Sequence, residues 1–190
     1  EWFLNLLDLD SMPSEGQTVS VRGADLTLLN GILRATTTMS AQQKQTEDVF
    51  GFKWHQRDTF ESDASLSMMR NWSNERYRFA EEWFPKRAEK YTVLDAGCGA
   101  AWSGLEYFRP ILDRVRYLGA DISAAVDVAS SRMGNARADA SFLQCDLTRL
   151  PLAPLSLDAI FSEGVLHHTD STRDAIRSLT PLLKPDGLFM

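Results

Sequence analysis

Short apolar runs alternate with segments of helical periodicity in the second half of the chain. The runs have the sequences YTVLDAGC, VRYLGADI, SFLQCDL and LDAIFSEG, and GLFM at the chain end begins another. Buried parallel strands are near-continuous apolar runs, and the helices that connect them cover the sheet. The pattern therefore predicts an α/β fold: a doubly wound, Rossmann-like, mostly parallel sheet with helices on both faces.

Two of the connecting segments carry clear helix signals. After the first strand, Trp102, Leu105 and Phe108 recur at three-residue spacing and define one apolar face. In the last connection, Ser171 and Asp174 have the spacing of a helix N-cap and its third residue. Both segments are therefore predicted to be helices that pack on the sheet.

Residues 1–85 lack this alternation and are rich in aromatic side chains. They hold four of the five tryptophans, and EWFLNLLDLD at their start is predicted to be a docked strand or helix. We expect an N-terminal arm or lid, residues 1–85, that folds onto an α/β domain of residues 86–190, with Phe50, Phe52 and Trp54 as candidate lid residues. Because the chain stops at GLFM, we expect the C-terminal strands of that domain to be missing.

The size and composition indicate one globular unit. The chain has 190 residues, of which 44% are hydrophobic and 24% charged, and these are ordinary globular values. Twenty basic residues against 26 acidic ones give a net charge of −6, which disfavours binding to nucleic acid. Two cysteines, Cys98 and Cys145, are too few for a zinc ribbon or a disulfide framework. With no targeting segment and no membrane span in view, we expect a cytoplasmic protein without bound metal.

The sequence DAGCGAAW places a glycine-rich turn between the first strand and its helix. In a nicotinamide-binding Gly-x-Gly-x-x-Gly fingerprint the third glycine would fall on Trp102, whose bulk would crowd a pyrophosphate. Asp95, two residues before the first glycine, would repel a diphosphate but attract the ammonium and sulfonium groups of S-adenosylmethionine. The turn therefore favours S-adenosylmethionine over a dinucleotide as the cofactor.

Two further acids follow the second and third strands of this domain. Asp121 ends VRYLGAD, where it would meet the ribose hydroxyls of a bound nucleoside. Asp146 in QCDL is placed to accept from an adenine amino group, while Leu147 packs against the ring. Because the carboxyl ends of parallel strands share one edge of the sheet, the three acids predict a nucleoside site at that edge.

The motifs VLDAGCG, LGADIS, FLQCDLTRLPL and LDAIFSEGVLHHT, in this order, resemble those of class I S-adenosylmethionine-dependent methyltransferases. The resemblance covers residues 91–190. It implies that the methionine end is held by Asp95, Ala96, Gly97, Cys98 and Gly99, the ribose by Asp121 and Ile122, and the adenine by Asp146 and Leu147, and that Ser162, Glu163 and Gly164 face the departing methyl group. The family often has a third glycine where this chain has Ala101.

The methyl acceptor is expected to be a small molecule. After the fourth strand the chain has SEGV, where amino-directed nucleic-acid methyltransferases have an Asn/Asp-Pro-Pro-aromatic motif and cytosine-C5 enzymes a Pro-Cys pair. The stretch from NGILRAT to VFGFKWHQRDTF also resembles the leader of small-molecule members of the class. His167 and His168, just beyond that strand, are the candidate general bases, with Glu163 as the alternative.

Two other functions stay open at this point. A nicotinamide-dependent oxidoreductase would share the acid Asp121, although Trp102 opposes it. A non-catalytic module of methyltransferase fold is the other, because Ala101 and the expected missing strands leave the site incomplete, and function depends on the site rather than on the fold.

Overall fold

The fold is built on one sheet with helices packed against it. The computed structural model describes residues 1–35 and 62–190. Within these residues the strands are β1 (Thr18–Val21), β2 (Ala24–Leu29), β3 (Ile32–Ala35), β4 (Tyr91–Ala96), β5 (Val115–Asp121), β6 (Asp139–Gln144), β7 (Leu157–Phe161) and β8 (Leu183–Phe189). The α-helices are α1 (Trp2–Leu7), α2 (Asp63–Tyr77), α3 (Ala80–Trp83), α4 (Trp102–Phe108), α5 (Ala125–Asn135) and α6 (Thr172–Leu179).

In this part of the chain, eight strands lie in the order β1-β2-β3-β6-β5-β4-β7-β8. The strands β3 to β8 pair in parallel, and the β1–β2 and β2–β3 pairs are antiparallel. The predicted mostly parallel α/β sheet is confirmed. Since parallel strands end at the same edge, the loops after β4, β5, β6 and β7 converge at that carboxyl edge.

An apolar core lies on each face of the sheet. Consecutive strand side chains point to opposite faces, so Val93 and Leu94 of β4 enter different cores. Leu94 belongs to the core that α1 and α6 cover, and Val93 to the core that α4 and α5 cover. The predicted helix after β4 is confirmed, with Leu105 and Phe108 buried on the predicted face. The predicted start of α6 is also confirmed, because the Ser171 side chain accepts from the N–H of Asp174.

Residues 1–35 extend this same sheet. The helix α1 docks as predicted, with Phe3, Leu6 and Leu7 buried in the α1–α6 core. At its start, the indole N–H of Trp2 donates to Asp139 at 2.8 Å, which ties the helix to the beginning of β6. Residues 1–35 therefore share a sheet and a core with the strands that follow.

Sequence analysis missed the strands β1, β2 and β3. They are joined by two-residue turns at Arg22-Gly23 and Asn30-Gly31, and all four residues have positive φ. Such turns match the right-handed twist of a hairpin. Leu33 of β3 then pairs with Leu143 of β6 and carries the hairpins onto the sheet.

The last strand begins earlier than the sequence indicates. The sequence indicates a strand from GLFM onward, but the preceding residues KPDG already lie inside β8. The pairing of β8 with β7 is irregular between Leu157 and Ala159, and Asp186 adopts a left-handed φ of 65°. A bulge therefore accommodates these residues within the strand.

None of the helices in residues 1–35 and 62–190 combines the length and the apolarity needed to cross a bilayer.

Asp158 crosslinks the sheet at the edge opposite the carboxyl edge. Its carboxylate accepts from the Thr92 backbone N–H at 2.8 Å and pairs with Lys184 at 3.0 Å and Arg87 at 3.1 Å. Burial acts to raise the pKa of Asp158, but the hydrogen bonds from these donors outweigh it and hold the pKa below its ordinary value. The ionised carboxylate of Asp158 therefore stabilises the folded state.

We expect Asp158→Asn to lower the free energy of unfolding by about 1–3 kcal/mol at pH 7. A depressed folded-state pKa gives stability that is present above the unfolded value of about 3.9 and lost as pH falls through the folded value. The difference in free energy of unfolding between wild type and Asp158→Asn, measured by urea titration, should therefore become smaller below about pH 4. Asp113→Asn, at a side chain 78% exposed, is the matched control. If this difference in free energy of unfolding is unchanged at pH 3, the charge of Asp158 is not its cause.

Candidate functional site

The residues predicted to form the site meet at the carboxyl edge. The strand register places Asp95 beside Gly119 of β5 and Phe161 of β7. Asp121 is paired with Gln144 of β6. Segments far apart in the sequence therefore contribute to one edge of the sheet.

The glycine turn crosses from β4 towards β5. The N–H groups of Gly97 and Cys98 both donate to the carbonyl oxygen of Ala120, at 2.7 and 3.1 Å. Gly97 has φ +83° and Gly99 φ +50°, which glycine adopts without steric cost. Ala101 also has a left-handed φ of 55° just before α4, which gives a physical reason why a glycine suits that position.

Gly97 also packs closely against the loop that follows β7. A Cβ at position 97 would lie 2.8 Å from the Cβ of Val165, and closer still to the Val165 methyl carbons. A side chain at this position would have to displace that loop. The turn is thus fixed from two sides, by hydrogen bonds to β5 and by contact with Val165.

Asp121 ties the turn to the end of β5. One carboxylate oxygen accepts from the Gly99 N–H at 2.8 Å, and the other accepts from the N–H and the hydroxyl of Ser123 at 2.8 and 2.7 Å. Ile122 follows, and its carbonyl oxygen accepts from the Gln144 side-chain amide at 3.1 Å. Asp121 is half-buried at the strand end, in the position expected for a ribose-binding acid.

Asp95 lies beneath the turn and not on its open side. Its side chain is 3% exposed, and one carboxylate oxygen accepts a hydrogen bond from the hydroxyl of Tyr117. Burial raises the pKa of Asp95 to about 7, and the charges of Asp121 and Glu163 add to this, while the Tyr117 hydrogen bond acts to lower it. The sequence predicts direct attraction of the cofactor's ammonium group, whereas the structure places the Asp95 carboxylate in the interior, against Tyr117.

Asp146 and Leu147 are more deeply placed than the sequence suggested. One oxygen of Asp146 accepts from the N–H and the hydroxyl of Thr148, both at 2.8 Å, and so begins a short 3₁₀ helix. Leu147 is 6% exposed and belongs to the α1–α6 core. Its apolar surface therefore packs chiefly within the protein.

The loop after β7 holds Ser162, Glu163 and Gly164. The Ser162 hydroxyl donates to the carbonyl oxygen of Ala96 at 2.8 Å, which joins this loop to the end of β4. Gly164 has φ +69°, and a Cβ there would meet no atom of the described residues within 4 Å. Among these residues the glycine therefore borders open space at the edge.

Tyr77, at the end of α2, is a site residue that sequence analysis missed. Its hydroxyl donates to Glu163, and its ring makes edge contacts with Phe161 and Tyr107. Burial and the neighbouring Glu163 raise the pKa of Tyr77. The partners are 86 residues apart, so no local pattern could have paired them.

The two candidate bases lie on a short 3₁₀ helix, Leu166–His168, beyond the same loop. Both side chains are exposed, and the ring centroids of His167 and His168 are 3.9 Å apart. Burial and the neighbouring His167 lower the pKa of His168. His168 is therefore suited to be neutral, and able to accept a proton, near pH 7.

The candidate lid residues Phe50, Phe52 and Trp54 lie outside the described residues.

Within residues 1–35 and 62–190, no three His, Cys, Asp or Glu side chains come together as a metal-binding group. Cys98 and Cys145 are unpaired and buried, and burial raises the pKa of each thiol. Cys98 therefore contributes packing in the turn, because a buried neutral thiol is a weak nucleophile.

Negative charge accumulates at the carboxyl edge, and this suits a cationic cofactor. Asp95 in β4 lies between β5, which ends in Asp121, and β7, which Glu163 follows, and the charges of both acids act on Asp95. A sulfonium nucleoside with an ammonium group would relieve their repulsion, whereas a dinucleotide diphosphate would increase it. The residues present therefore fit S-adenosylmethionine.

Comparison with known proteins agrees with this geometry. The profile of the family described as "Methyltransferase domain" matches residues 94–190, just over half of the chain. The chain belongs to the class I S-adenosylmethionine-dependent methyltransferases. S-adenosylmethionine is therefore the cofactor of this methyltransferase domain.

Curated relatives of this methyltransferase domain differ in their acceptors. It is 29% identical over 100 residues to malonyl-[acyl-carrier protein] O-methyltransferase of Enterobacter lignolyticus, which covers 51% of this chain and 36% of that protein. It is 30% identical over 145 residues to probable tRNA methyltransferase 9B of Bos taurus, which covers 73% of this chain and 28% of that protein. The chain thus spans about a third of the length of these relatives.

A solved structure shows the same fold. Geranyl diphosphate C-methyltransferase from Streptomyces coelicolor superposes on this methyltransferase with a TM-score of 0.59 at 17% identity, which covers 80% of this chain and 64% of that one. At this identity the likeness concerns the fold alone. It agrees with the doubly wound sheet described above.

Proposed function

We propose that the protein transfers the methyl group of S-adenosylmethionine to a small-molecule acceptor, such as a metabolite, a lipid or a natural-product intermediate. The observation that carries the proposal is the cluster of Asp95, Asp121 and Glu163 at the carboxyl edge. These carboxyl groups favour a cationic ligand and disfavour the phosphates of RNA or DNA. The net charge of −6 acts in the same direction.

The cofactor-binding roles follow from where the side chains lie. Asp121 is positioned to accept from ribose hydroxyls while it keeps its hydrogen bond from Gly99. The open space at Gly164 leaves room for a ligand beside the turn. When bound, the cofactor supplies an electrophilic methyl group on its sulfonium, and the protein's contribution is to position the acceptor and exclude water.

An acceptor that loses a proton needs a base, and we favour His168. Its lowered pKa keeps the imidazole neutral near pH 7, where it can accept a proton. Glu163 is the weaker candidate, because its carboxylate already accepts a hydrogen bond from Tyr77. His167 is the alternative base if its ring, instead of that of His168, faces the acceptor.

The test begins with calorimetric titration of the protein with S-adenosylmethionine, S-adenosylhomocysteine and, as control, NADH. We expect the first two to bind and NADH to give no heat. Binding of NADH alone would establish the oxidoreductase alternative and overturn the proposal.

The free buried thiols agree with a reducing compartment, and we propose the cytoplasm as the location.

The acceptor class is tested with cofactor labelled in its methyl group. The protein is incubated with a small-molecule extract and, separately, with total tRNA, and the label is followed into acid-soluble and nuclease-sensitive fractions. We expect label in the extract. Label in tRNA would instead match the acceptor named for one relative. Binding without labelling of either pool would leave a non-catalytic module.

A further inference from the structure

A buried acid and a buried tyrosine meet directly beneath the glycine turn. Asp95 is 3% exposed and Tyr117 is fully buried. They lie on the neighbouring strands β4 and β5, where the register pairs Asp95 with Gly119, two residues beyond Tyr117. Both side chains therefore point to the same face of the sheet as diagonal neighbours, and the Tyr117 hydroxyl donates to Asp95.

The helix α4 leaves space for this contact at one glycine. A Cβ at Gly104 would lie 2.7 Å from the Tyr117 hydroxyl oxygen, and closer still to a carboxylate oxygen of Asp95. Three elements, β4, β5 and α4, therefore enclose the pair. Gly97, the first residue of the glycine turn, follows Asp95 by two residues.

The charge state of Asp95 depends on a balance among its neighbours. Burial, Asp121 at the end of β5 and Glu163 after β7 all favour the neutral carboxyl and raise its pKa to about 7. The Tyr117 hydroxyl acts in the opposite direction, because it hydrogen-bonds to the charged form. Near neutral pH this one hydroxyl therefore has a large influence on how often Asp95 is charged.

Tyr117 itself stays protonated and able to donate. Burial raises its pKa well above the ordinary value, and the charges of Asp95 and Cys98 add to this. The charge of Arg132 in α5 acts to lower the pKa of Tyr117, but the other causes outweigh it. The donor in this pair is therefore fixed over the whole range in which Asp95 titrates.

We propose that Tyr117 is a positioning residue for S-adenosylmethionine: its hydroxyl holds the Asp95 carboxylate in one orientation beneath the glycine turn, and cofactor affinity depends on that contact. The inference rests on the proposed function, in which Asp95 attracts the cationic end of the cofactor. Tyr117 acts through Asp95 and does not touch the cofactor.

The test is calorimetric titration with S-adenosylmethionine and S-adenosylhomocysteine at pH 6, 7, 8 and 9 for wild type and Tyr117→Phe. Loss of the hydrogen bond to the charged form is expected to raise the pKa of Asp95 further above about 7. The ratio of the variant's Kd to that of wild type should then be near 1 at pH 9 and rise to about tenfold at pH 6. Titration of the ligand's own amino group affects both proteins equally and leaves this ratio unchanged.

Tyr91→Phe is the matched control. Its hydroxyl donates to the Pro85 carbonyl at 3.0 Å near the start of β4, at the other edge of the sheet. The same hydroxyl deletion there should leave Kd unchanged at every pH. Thermal unfolding of each variant establishes that it is folded at the titration temperature.

Two further variants keep the test independent of a general loss of stability. Gly104→Ala retains both polar groups but forces them apart, so it should reproduce the pH-dependent ratio. In Asp95→Asn, the additional change Tyr117→Phe should add no further pH dependence between pH 6 and 9, because the titrating carboxyl is gone.

The outcomes separate the two proposals. A ratio for Tyr117→Phe that is the same at every pH, or equal to 1 throughout, overturns the role of Tyr117 while wild-type binding preserves the proposed function. If wild type binds neither ligand at pH 9, where Asp95 is charged, both proposals fall together. A ratio that grows as pH falls supports the role of Tyr117.

Discussion

Replacing Gly97 by alanine should abolish cofactor binding and lower the free energy of unfolding by about 2–4 kcal/mol. Gly97 has φ +83°, a conformation that costs any residue with a side chain. The added Cβ would also collide with Val165, so the turn and the loop after β7 would separate. Urea unfolding measures the loss of stability, and titration with S-adenosylhomocysteine measures the loss of binding.

Gly23→Ala is the matched control for this change. Gly23 has the same φ of +83° in the β1–β2 turn, but a Cβ there meets nothing within 4 Å. We expect a loss of about 1 kcal/mol from backbone strain, and unaltered cofactor binding. The difference between the two variants isolates the contact with Val165. Wild-type affinity in Gly97→Ala would contradict the close packing described for this turn.

The second large effect is expected for Asp121→Asn, which should weaken binding of S-adenosylhomocysteine roughly 100-fold. The carboxylate of Asp121 faces donors only, the N–H of Gly99 and both donors of Ser123. A side-chain amide would set its own N–H groups against one of these donors and offer one acceptor fewer to the ribose. Both the turn and the ligand would lose a hydrogen bond to a charged group.

Asp127→Asn makes the same chemical change six residues further on. Asp127 is 43% exposed and pairs with Arg34, so its loss should leave the affinity unchanged. Calorimetry at fixed pH and ionic strength compares the two variants, because surface charge effects depend on salt. Equal affinities for wild type and Asp121→Asn would remove Asp121 from the proposed cofactor site.

The strands β4 to β7 could be predicted because each is an apolar run buried within the sheet, whereas only the end of β8 carries that pattern. The strands β1 to β3 are short and carry polar residues such as Thr18 and Ser20, so they lack that pattern. A local signal was present nonetheless: Asn30-Gly31 between two apolar stretches is a strong indication of a hairpin. Arg22-Gly23 marks the preceding turn in the same way.

The candidate site could also be predicted only in part from the sequence. Sequence spacing placed Asp95 and Asp121 at one edge of the sheet, since parallel strands end together. It gave no direction for the Asp95 side chain, because the inward orientation depends on Tyr117 from the next strand. The contact between Tyr77 and Glu163 joins distant segments and depends on tertiary packing, which periodicity does not encode.

The parallel pairing of β3 with β6 has a consequence for biosynthesis. Arg34 of β3 and its partner Gln144 are 110 residues apart, so the ribosome completes β3 long before its docking surface exists. Until then, Ile32 and Leu33, which are buried in the folded protein, lack the surface that covers them. The strand β3 can therefore join the parallel part of the sheet only after β6 has been synthesised.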